Sequence, residues 1–327
     1  MGKMLEIKDL YVKYRTIYKD VLAVNGVSIS LEKGESLGLV GETGAGKTTL
    51  ALTIMGILPK GVGEAYRGEV LVKGEDFLNA SERRLRKARG KEMSMIFQDP
   101  MTALNPVMTV GDQIAEVLKL HEVEHVDSRV DEILQLVGIE PARKICYPHQ
   151  FSGGMKQRIV IAIALACEPE LLIADEPTTA LDVTIQAQIL SMIDDIQKRF
   201  KTSLILITHD LGIVAESCDK VAVMYAGEIL EFGTLEQVFD KSRPHHPYTV
   251  GLFGCIPDLS TDKPRLEPIK GMPPDPSDLP LGCCFSPRCK DCMGKCAQEK
   301  PGEYKTQDGH MIKCHLFTDS GEAAESE

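Results

Sequence analysis

The chain has 327 residues, of which 43% are hydrophobic, and its 37 basic and 48 acidic side chains give a formal net charge of −11. This length allows one large α/β domain with an appendage. The acidic balance argues against general binding to nucleic-acid backbones, for which a basic surface is expected, so we expect no nucleic-acid partner. No run of residues approaches the roughly 20 apolar positions of a membrane-spanning helix. Charged side chains throughout the first twenty residues argue against a signal segment, so we expect a cytoplasmic protein.

The first third of the chain alternates between strand and helix patterns. Residues 5–40 show strand-like alternation, and a helical pattern follows over residues 47–58, up to a proline. Residues 66–98 predict further strands, interrupted by a basic helix over residues 81–91.

The middle of the chain first predicts helices and then a sheet. Apolar residues recur at helical spacing over residues 109–166, which indicates a helical insertion. Strand patterns return at residues 171–174, 203–208 and 220–225, with helices between them. This alternation predicts a parallel sheet with crossover helices.

The composition changes near residue 242. Residues 256–288 contain too many prolines for regular elements and predict an extended arm that leads into a group of cysteines. The small and acidic residues 318–327 predict a disordered tail. We therefore divide the chain into a main domain over residues 1–241, an extension over 242–317 and this tail.

A glycine-rich turn between an apolar strand and a helix fits the P-loop pattern G-x4-G-K-S/T. Glycines at this spacing let backbone N–H groups surround a phosphate, and the following helix N-terminus adds a positive dipole. Lys47 is predicted to neutralise the β- and γ-phosphates of ATP, and Thr48 to bind Mg²⁺. The alternative is an ordinary glycine-rich turn. The predicted phosphate-binding residues are Gly41, Thr43, Gly44, Ala45, Gly46, Lys47, Thr48 and Thr49.

A second motif places two acidic residues, Asp175 and Glu176, directly after an apolar strand. Carboxylates at the C-terminal edge of a parallel sheet face the crevice in which ligands bind. We predict that Asp175 holds Mg²⁺ and that Glu176 polarises the attacking water as general base. Two acids at a solvated strand end are the alternative, which the preceding P-loop disfavours.

The segment Phe151-Ser152-Gly153-Gly154-Met155 precedes a predicted helix. It resembles the LSGGQ signature of the ATP-binding-cassette (ABC) ATPases, although Phe151 and Met155 depart from the commonest letters. Ser152 is also suited to cap an ordinary helix. The resemblance implies a P-loop ABC-type α/β domain with a parallel-sheet core, an antiparallel β subdomain and a helical insertion over about residues 99–166.

The same resemblance implies roles for several other residues. Gln98 matches a residue that contacts Mg²⁺ and the attacking water, and His209 matches the histidine that contacts the γ-phosphate. Asp182 ends the D-loop match at residues 180–182. Tyr14 matches the aromatic residue that stacks on adenine, with Tyr11 as a nearby alternative.

In this family the P-loop of one cassette faces the Ser-Gly-Gly of a second, with two ATP molecules between them. The resemblance therefore implies a second ATPase subunit as partner, two membrane permeases docked near the helical insertion, and a position at the cytoplasmic face of the membrane.

Longer segments resemble the dipeptide/oligopeptide import ATPases, in particular the first of their two paired subunits. These segments are residues 98–106, 174–184, 246–249, 269–273 and 282–289. An external substrate-binding protein is then a further implied partner. The transported molecule stays open among dipeptides, longer peptides, nickel and oligosaccharides.

Four of the six C-terminal cysteines match that family's pattern, namely Cys283, Cys289, Cys296 and Cys314. Four thiolates suit either a four-iron, four-sulfur (4Fe–4S) cluster or Zn²⁺. The four positions contain no C-x2-C pair of the kind that zinc ribbons favour, so we expect the cluster, with zinc or no metal as alternatives. No cysteine falls within the nucleotide motifs, and ATP hydrolysis is expected to survive loss of the metal.

Two other functions fit the sequence less well than transport does. Cassette ATPases of DNA repair share these motifs, but the acidic chain lacks their long coiled-coil insertion. A regulatory cassette that does not hydrolyse ATP is expected to lack Glu176 or His209, and both are present.

Overall fold

A computed structural model describes residues 2–179, 181–255 and 268–317. The predicted tail, Ala180 of the D-loop match and the first part of the proline-rich arm (256–267) lie outside these ranges. The strands are β1 (Lys3–Arg15), β2 (Asp20–Glu32), β3 (Ser36–Val40), β4 (Gly63–Val72), β5 (Glu75–Asp76), β6 (Met93–Ile96), β7 (Leu171–Asp175), β8 (Ser203–Thr208), β9 (Lys220–Tyr225), β10 (Glu228–Thr234), β11 (Tyr304–Lys305) and β12 (Met311–Ile312).

The helices are α1 (Lys47–Ile54), α2 (Glu82–Ala88), α3 (Pro100–Ala103), α4 (Val110–Leu120), α5 (Val126–Leu136), α6 (Gly153–Leu165), α7 (Val183–Phe200), α8 (Leu211–Ser217), α9 (Leu235–Phe239) and α10 (Pro247–Phe253). The predicted helix over residues 47–58 ends four residues early. Gly56, at φ +64, takes up the left-handed conformation that glycine favours just after a helix.

Within the described ranges the strands form two sheets. The smaller is antiparallel, in the order β2-β1-β4-β5, and the larger has the order β11-β12-β10-β9-β3-β8-β7-β6. Strands β9, β3, β8, β7 and β6 pair in parallel, which confirms the predicted parallel core. The P-loop and the two acidic residues therefore emerge at the same edge of the sheet.

The central strands are buried on both faces, as their continuous apolar runs predict. Successive side chains of a strand point to opposite faces, so Ile205 and Ile207 pack towards the antiparallel sheet and α1. Leu204 and Leu206 pack on the other face, where α4 to α8 and part of the C-terminal region form a second core.

The region after residue 242 is tied to the main sheet by a buried carboxylate. Glu231 of β10 accepts hydrogen bonds from His245 Nδ1 at 2.7 Å and His310 Nε2 at 2.9 Å. Burial alone would raise the pKa of Glu231, but these two hydrogen bonds lower it to about 2.

The hairpin of β11 and β12 extends the main sheet at β10. We predicted only an extended arm and missed this hairpin. The boundary at 242 stays a prediction.

No helix in the described part of the chain is long and apolar enough to cross a membrane.

Candidate nucleotide-binding site

The P-loop connects β3 to α1, and two of its glycines leave no room for a side chain. A Cβ atom on Gly41 would lie 2.1 Å from the carbonyl oxygen of Met224, and one on Gly46 would lie 2.2 Å from that of Ala23. Gly46 also has φ +102, which side chains other than hydrogen rarely allow. The loop can therefore pass close to the neighbouring backbone only with glycine at these positions.

Lys47 begins α1, and its ammonium group lies inside the loop. Its Nζ donates hydrogen bonds to the carbonyl oxygens of Gly41 at 2.7 Å and Glu42 at 3.0 Å. Burial lowers the pKa of Lys47, while the nearby carboxylates of Glu176 and Asp175 act in the opposite direction. A cation held in this way is suited to meet the phosphate chain of a nucleotide.

Asp175 is the last residue of β7, and its carboxylate is buried beside the start of α1. Burial raises the pKa of Asp175, and a hydrogen bond from Thr48 opposes that shift. The structure thus places two of the three predicted Mg²⁺ ligands in contact. Oxygen donors of this kind suit Mg²⁺.

Glu176 has three side-chain neighbours that fix its carboxylate. Oε2 accepts hydrogen bonds from Gln98 Nε2 at 3.0 Å and from Thr179 Oγ1 at 2.9 Å, and Oε1 lies 3.2 Å from His209 Nδ1. Burial alone would raise the pKa of Glu176, but the hydrogen bonds from Thr179 and His209 hold it below its ordinary value. The three predicted catalytic residues, Glu176, His209 and Gln98, therefore lie together, and Thr179 was missed.

Glu176 also has φ +44, an uncommon conformation for a residue with a side chain. Its backbone N–H donates to the carbonyl oxygen of Ile207 in β8 at 2.9 Å. Residues with such uncommon backbone dihedral angles are often found at functional sites.

A cleft of about 330 Å³ joins these groups. Its lining residues are Tyr14, Val21, Ala23, Thr43, Gly44, Gly46, Lys47, Thr48, Thr49, Gln98, Glu176 and Pro276. The Tyr14 hydroxyl lies 3.2 Å from Thr49 Oγ1, whereas Tyr11 packs against Tyr66 and Arg67 outside the cleft. The structure therefore places Tyr14, and not Tyr11, at the cleft.

Pro276 reaches this cleft from the C-terminal region, a contact that no local sequence pattern predicts. Its carbonyl oxygen accepts a hydrogen bond from the Leu22 N–H of β2 at 2.9 Å. The cleft wall is therefore built from both ends of the chain.

The Ser-Gly-Gly segment does not reach the cleft within one chain. Ser152 accepts a hydrogen bond from Met155 N at 3.4 Å, which confirms that it caps α6, while its role as a signature residue stays a prediction. Asp182 likewise caps α7, by accepting from Ile185 N at 3.0 Å. Ser152, Gly153 and Asp182 are exposed, and Gly154 is half-buried.

The departures from the commonest signature letters have a local explanation. Phe151 is buried, and the Arg143 guanidinium stacks 4.2 Å from its ring centre. The sulfur of Met155 lies 3.6 Å from the same guanidinium. Both side chains pack into the helical region and leave the Ser-Gly-Gly backbone at the surface.

The four cysteines of the predicted metal centre come together from separate turns. Cys283, Cys296 and Cys314 are buried, and Cys289 is half-buried. Burial, together with charges on the other three sulfurs, raises the pKa of Cys314 to about 12. The four thiols are therefore electrostatic neighbours.

Backbone N–H groups point at three of these sulfurs. Burial raises the pKa of Cys283, while hydrogen bonds from the N–H groups of Phe285 and Ser286 oppose the shift. The N–H of Asp291 does the same for Cys289, and that of Leu316 for Cys314. Such bonds favour the thiolate, which is the form that binds metals.

The two remaining C-terminal cysteines have other surroundings. Cys284 is buried, and its thiol donates to Glu228 Oε1 at 3.6 Å. Cys292 is exposed and lies beside Cys296.

Among the described residues, the one group whose possible ligand atoms all lie within 4.8 Å of one another is Glu231, His245 and His310. Glu231 contacts both histidines at hydrogen-bond distances, so these three side chains satisfy one another without an ion.

Comparison with known proteins identifies both regions of the chain. The profile of the ABC transporter family matches residues 24–179, and that of the oligopeptide/dipeptide transporter C-terminal region matches residues 230–296. The dipeptide transport ATP-binding protein DppD of Bacillus subtilis is 49% identical over 329 residues, which cover 99% of this chain and 98% of that protein. The oligopeptide transport ATP-binding protein OppD of the same organism is 49% identical over 321 residues, or 96% and 89% of the two chains.

A solved structure shows the same fold. A dimeric ATP-binding cassette in a post-hydrolysis state with ADP and phosphate superposes with a TM-score of 0.64 at 24% identity, covering 71% of this chain and 99% of that one.

Proposed function

We propose that this chain, which belongs to the ATP-hydrolysing subunits of ABC transporters, powers the import of peptides across a membrane. The observation that carries the peptide assignment is a likeness over nearly the whole chain to dipeptide and oligopeptide transport ATP-binding proteins. The match to the oligopeptide/dipeptide C-terminal region supports it independently of the cassette.

We assign the hydrolytic roles as follows. Lys47 and the loop N–H groups bind the β- and γ-phosphates, while Thr48, Asp175 and Gln98 hold Mg²⁺, which neutralises phosphate charge when bound. Glu176 takes a proton from the attacking water.

His209 contacts the γ-phosphate, and its 3.2 Å approach to Glu176 ties phosphate contact to the position of the base. Tyr14 provides the aromatic surface for the adenine ring.

We further propose that the site is completed by a second, different ATPase subunit. In one chain the Ser152–Gly154 segment is largely exposed and lines no part of the cleft that holds Lys47. A second cassette can bring its own Ser-Gly-Gly N–H groups to the γ-phosphate, which makes ATP the link between subunits.

ABC transporter ATPases act on membrane permeases. We propose two permeases and an external binding protein as the further partners, with this chain at the cytoplasmic face.

We propose that Cys283, Cys289, Cys296 and Cys314 hold a 4Fe–4S cluster with a structural role. The burial of three of them and the N–H groups that face the sulfurs support metal binding. We favour the cluster over a single zinc because the four positions contain no C-x2-C pair of the kind that zinc ribbons favour.

The import proposal is tested by deleting the gene and measuring uptake. A labelled dipeptide, a labelled hexapeptide, Ni²⁺ and a labelled oligosaccharide are compared, with return of the wild type or of Glu176→Gln. We expect loss of peptide uptake that only the wild type restores. Unchanged peptide uptake with loss of Ni²⁺ or sugar uptake would refute the peptide assignment.

The cluster is tested on protein purified without oxygen. We expect visible absorbance from thiolate-bound iron, with about four iron and four sulfide per chain. Changing any of the four proposed ligands to serine should abolish it, whereas the matched control Cys284→Ser should not. A colourless protein with one zinc per chain would show that the site binds zinc and not a cluster. A metal-free protein would refute both assignments.

The subunit proposal is tested by sedimentation of the purified chain. We expect a monomer or weak dimer with low ATPase activity, which rises when the second ATPase and the permeases are added. A tight, fully active homodimer without nucleotide would contradict it.

A further inference from the structure

An ion pair between a buried arginine and a half-buried glutamate links the cysteine-rich segment to the P-loop. Arg288 Nη1 lies 2.7 Å from Glu42 Oε2, and Arg288 Nη2 lies 3.0 Å from Glu42 Oε1. Only 5% of the Arg288 side chain is exposed. Two parallel N–H···O contacts of this kind fix both the distance and the orientation of the carboxylate. Glu42 is the first variable residue of the P-loop, so an arginine from the far end of the chain sets its position.

The backbone of the same P-loop residue is also held by the C-terminal region. The Glu42 N–H donates a hydrogen bond of 2.9 Å to the hydroxyl of Tyr248, a residue that is fully buried. The Tyr248 ring packs against Phe285, with ring centres 5.4 Å apart. Both the side chain and the N–H of Glu42 therefore contact residues that lie beyond position 242.

Glu42 in turn contacts the phosphate-binding lysine. Its carbonyl oxygen accepts a hydrogen bond from Lys47 Nζ at 3.0 Å. A shift of the Glu42 peptide would move this acceptor and the adjacent loop N–H groups. Phosphate binding by a P-loop depends on the placement of those N–H groups. We therefore expect loss of the contacts to Glu42 to weaken nucleotide binding.

Arg288 is placed by the turn that carries two of the cysteines. It ends the short helical turn Ser286–Arg288, which begins three residues after Cys283 and is followed at once by Cys289. The Cys283 N–H donates to the carbonyl oxygen of Cys296 at 2.8 Å, which joins this turn to the next cysteine-bearing turn. Phe285 and Cys296 of these turns are buried in the core. We expect the position of Arg288 to depend both on this packing and on a metal that joins the four sulfurs.

We infer that Arg288 is a positioning residue through which the four-cysteine segment holds the P-loop in its nucleotide-binding conformation. ATP affinity then depends on the integrity of a centre that contributes no atom to the nucleotide cleft. The expectation that hydrolysis survives loss of the metal then applies to kcat, whereas the affinity for ATP is expected to fall. The metal-dependent part of this inference rests on the proposed cluster, whereas the contribution of Arg288 does not.

The first arm of the test compares variants of Arg288 in the full chain, purified without oxygen. We measure the Kd for ATP with Mg²⁺, the KM and kcat of the assembled transporter, and the iron content. Arg288→Ala should raise Kd and KM about tenfold, within the range of roughly 5- to 150-fold typical of coupled sites, with kcat nearly unchanged. Arg288→Lys should have a smaller effect, because lysine keeps the charge but cannot make the paired contact.

The matched control is Arg243→Ala. Arg243 also pairs with an acidic residue of the C-terminal region, Asp308, but it makes no contact with the P-loop. Its Kd for ATP should equal that of the wild type. If Arg288→Ala and Arg243→Ala both bind ATP as the wild type does, or if both weaken it equally, the positioning role is refuted.

The second arm removes the metal, by Cys289→Ser and by anaerobic chelation of the wild type. Either treatment should weaken ATP binding to the level of Arg288→Ala. Removing the metal from Arg288→Ala should weaken ATP binding little further, because both changes break the same connection between the cysteine segment and the P-loop. Folded, metal-free protein with wild-type ATP affinity would overturn the metal dependence. If the wild type holds no metal, the cluster proposal fails, and the first arm alone decides the role of Arg288.

Discussion

Replacing Glu176 with glutamine removes the proposed general base and keeps the shape of the side chain. An amide oxygen in place of Oε2 can still accept the hydrogen bonds from Gln98 and Thr179, at 3.0 and 2.9 Å. The amide nitrogen then faces His209 Nδ1, now 3.2 Å from Oε1, and can donate to it. The substitution is therefore expected to leave the local geometry and the affinity for ATP unchanged.

The expected loss lies in the chemical step. Removing a general base typically lowers the rate by about 10²- to 10⁴-fold, which corresponds to roughly 3–5 kcal/mol of activation free energy. The pKa of Glu176 is held below its ordinary value, so in the wild type its carboxylate is ionised at neutral pH. The base is lost only as the pH falls through that lowered pKa, and no loss from this group is expected between about pH 6 and 8.

The assay measures phosphate release by the assembled transporter at saturating ATP, together with equilibrium ATP binding. Glu170→Gln provides the matched control, because Glu170 precedes the opposite end of the same strand and pairs with Lys33 and Lys73. We expect wild-type turnover for the control and wild-type Kd for both variants. If Glu176→Gln hydrolyses ATP at nearly the wild-type rate, Glu176 is not the base.

Three further changes test the loop and the link to the C-terminal region. Lys47→Ala should raise the Kd for ATP by about 10- to 100-fold, because a charged hydrogen bond contributes roughly 1.5–3 kcal/mol; an unchanged Kd in equilibrium binding would contradict the P-loop assignment. Gly46→Ala should also impair ATP binding, because its Cβ would lie 2.2 Å from a carbonyl oxygen; wild-type affinity would show that the loop adjusts. Glu231→Gln should lower the free energy of unfolding by about 3 kcal/mol, because it leaves buried histidines without their carboxylate.

The last of these changes should also flatten the dependence of stability on pH. The folded pKa of Glu231 is lowered to about 2, so its contribution is present above its unfolded pKa of about 4.3 and is lost as the pH falls towards 2. Burial alone would lower the pKa of His245, but Glu231 raises it, so this contribution is present below about pH 6.5 and is lost as the pH rises through the raised value. Chemical denaturation across this range measures both effects, and equal pH slopes for variant and wild type would contradict them.

The nucleotide motifs could be predicted because each is a contiguous stretch with its own chemistry. A strand, a glycine turn and a helix start are local features, and they place Lys47 and Thr48 without knowledge of the rest of the fold. The parallel order of the sheet then brings Asp175 to the same edge. The strands at residues 203–208 and 220–225 were predicted at their observed bounds for the same reason, because continuous apolar runs mark buried parallel strands.

The contacts of the C-terminal region could not be predicted in this way. Strands β11 and β12 are two residues long and carry no detectable alternation. Arg288 and Glu42 are 246 positions apart, and neither residue type indicates its partner. Pairings across such distances follow from the packing of the whole fold, which a single sequence does not reveal through local patterns.

The placement of the C-terminal region has a consequence for how the two halves of a nucleotide site are built. The signature segment lies at the exposed start of α6, where a second subunit can reach it, whereas the P-loop is contacted from within the chain by Tyr248 and Arg288. Under the proposed assembly, one half-site is thus free to approach and separate while the other is held rigid. Energy from cassette closure would be lost if the P-loop yielded when ATP is clamped. We expect the Arg288–Glu42 ion pair and the hydrogen bond from the Glu42 N–H to the Tyr248 hydroxyl to resist that movement. On this proposal the C-terminal region contributes to transport without contact with the transported molecule.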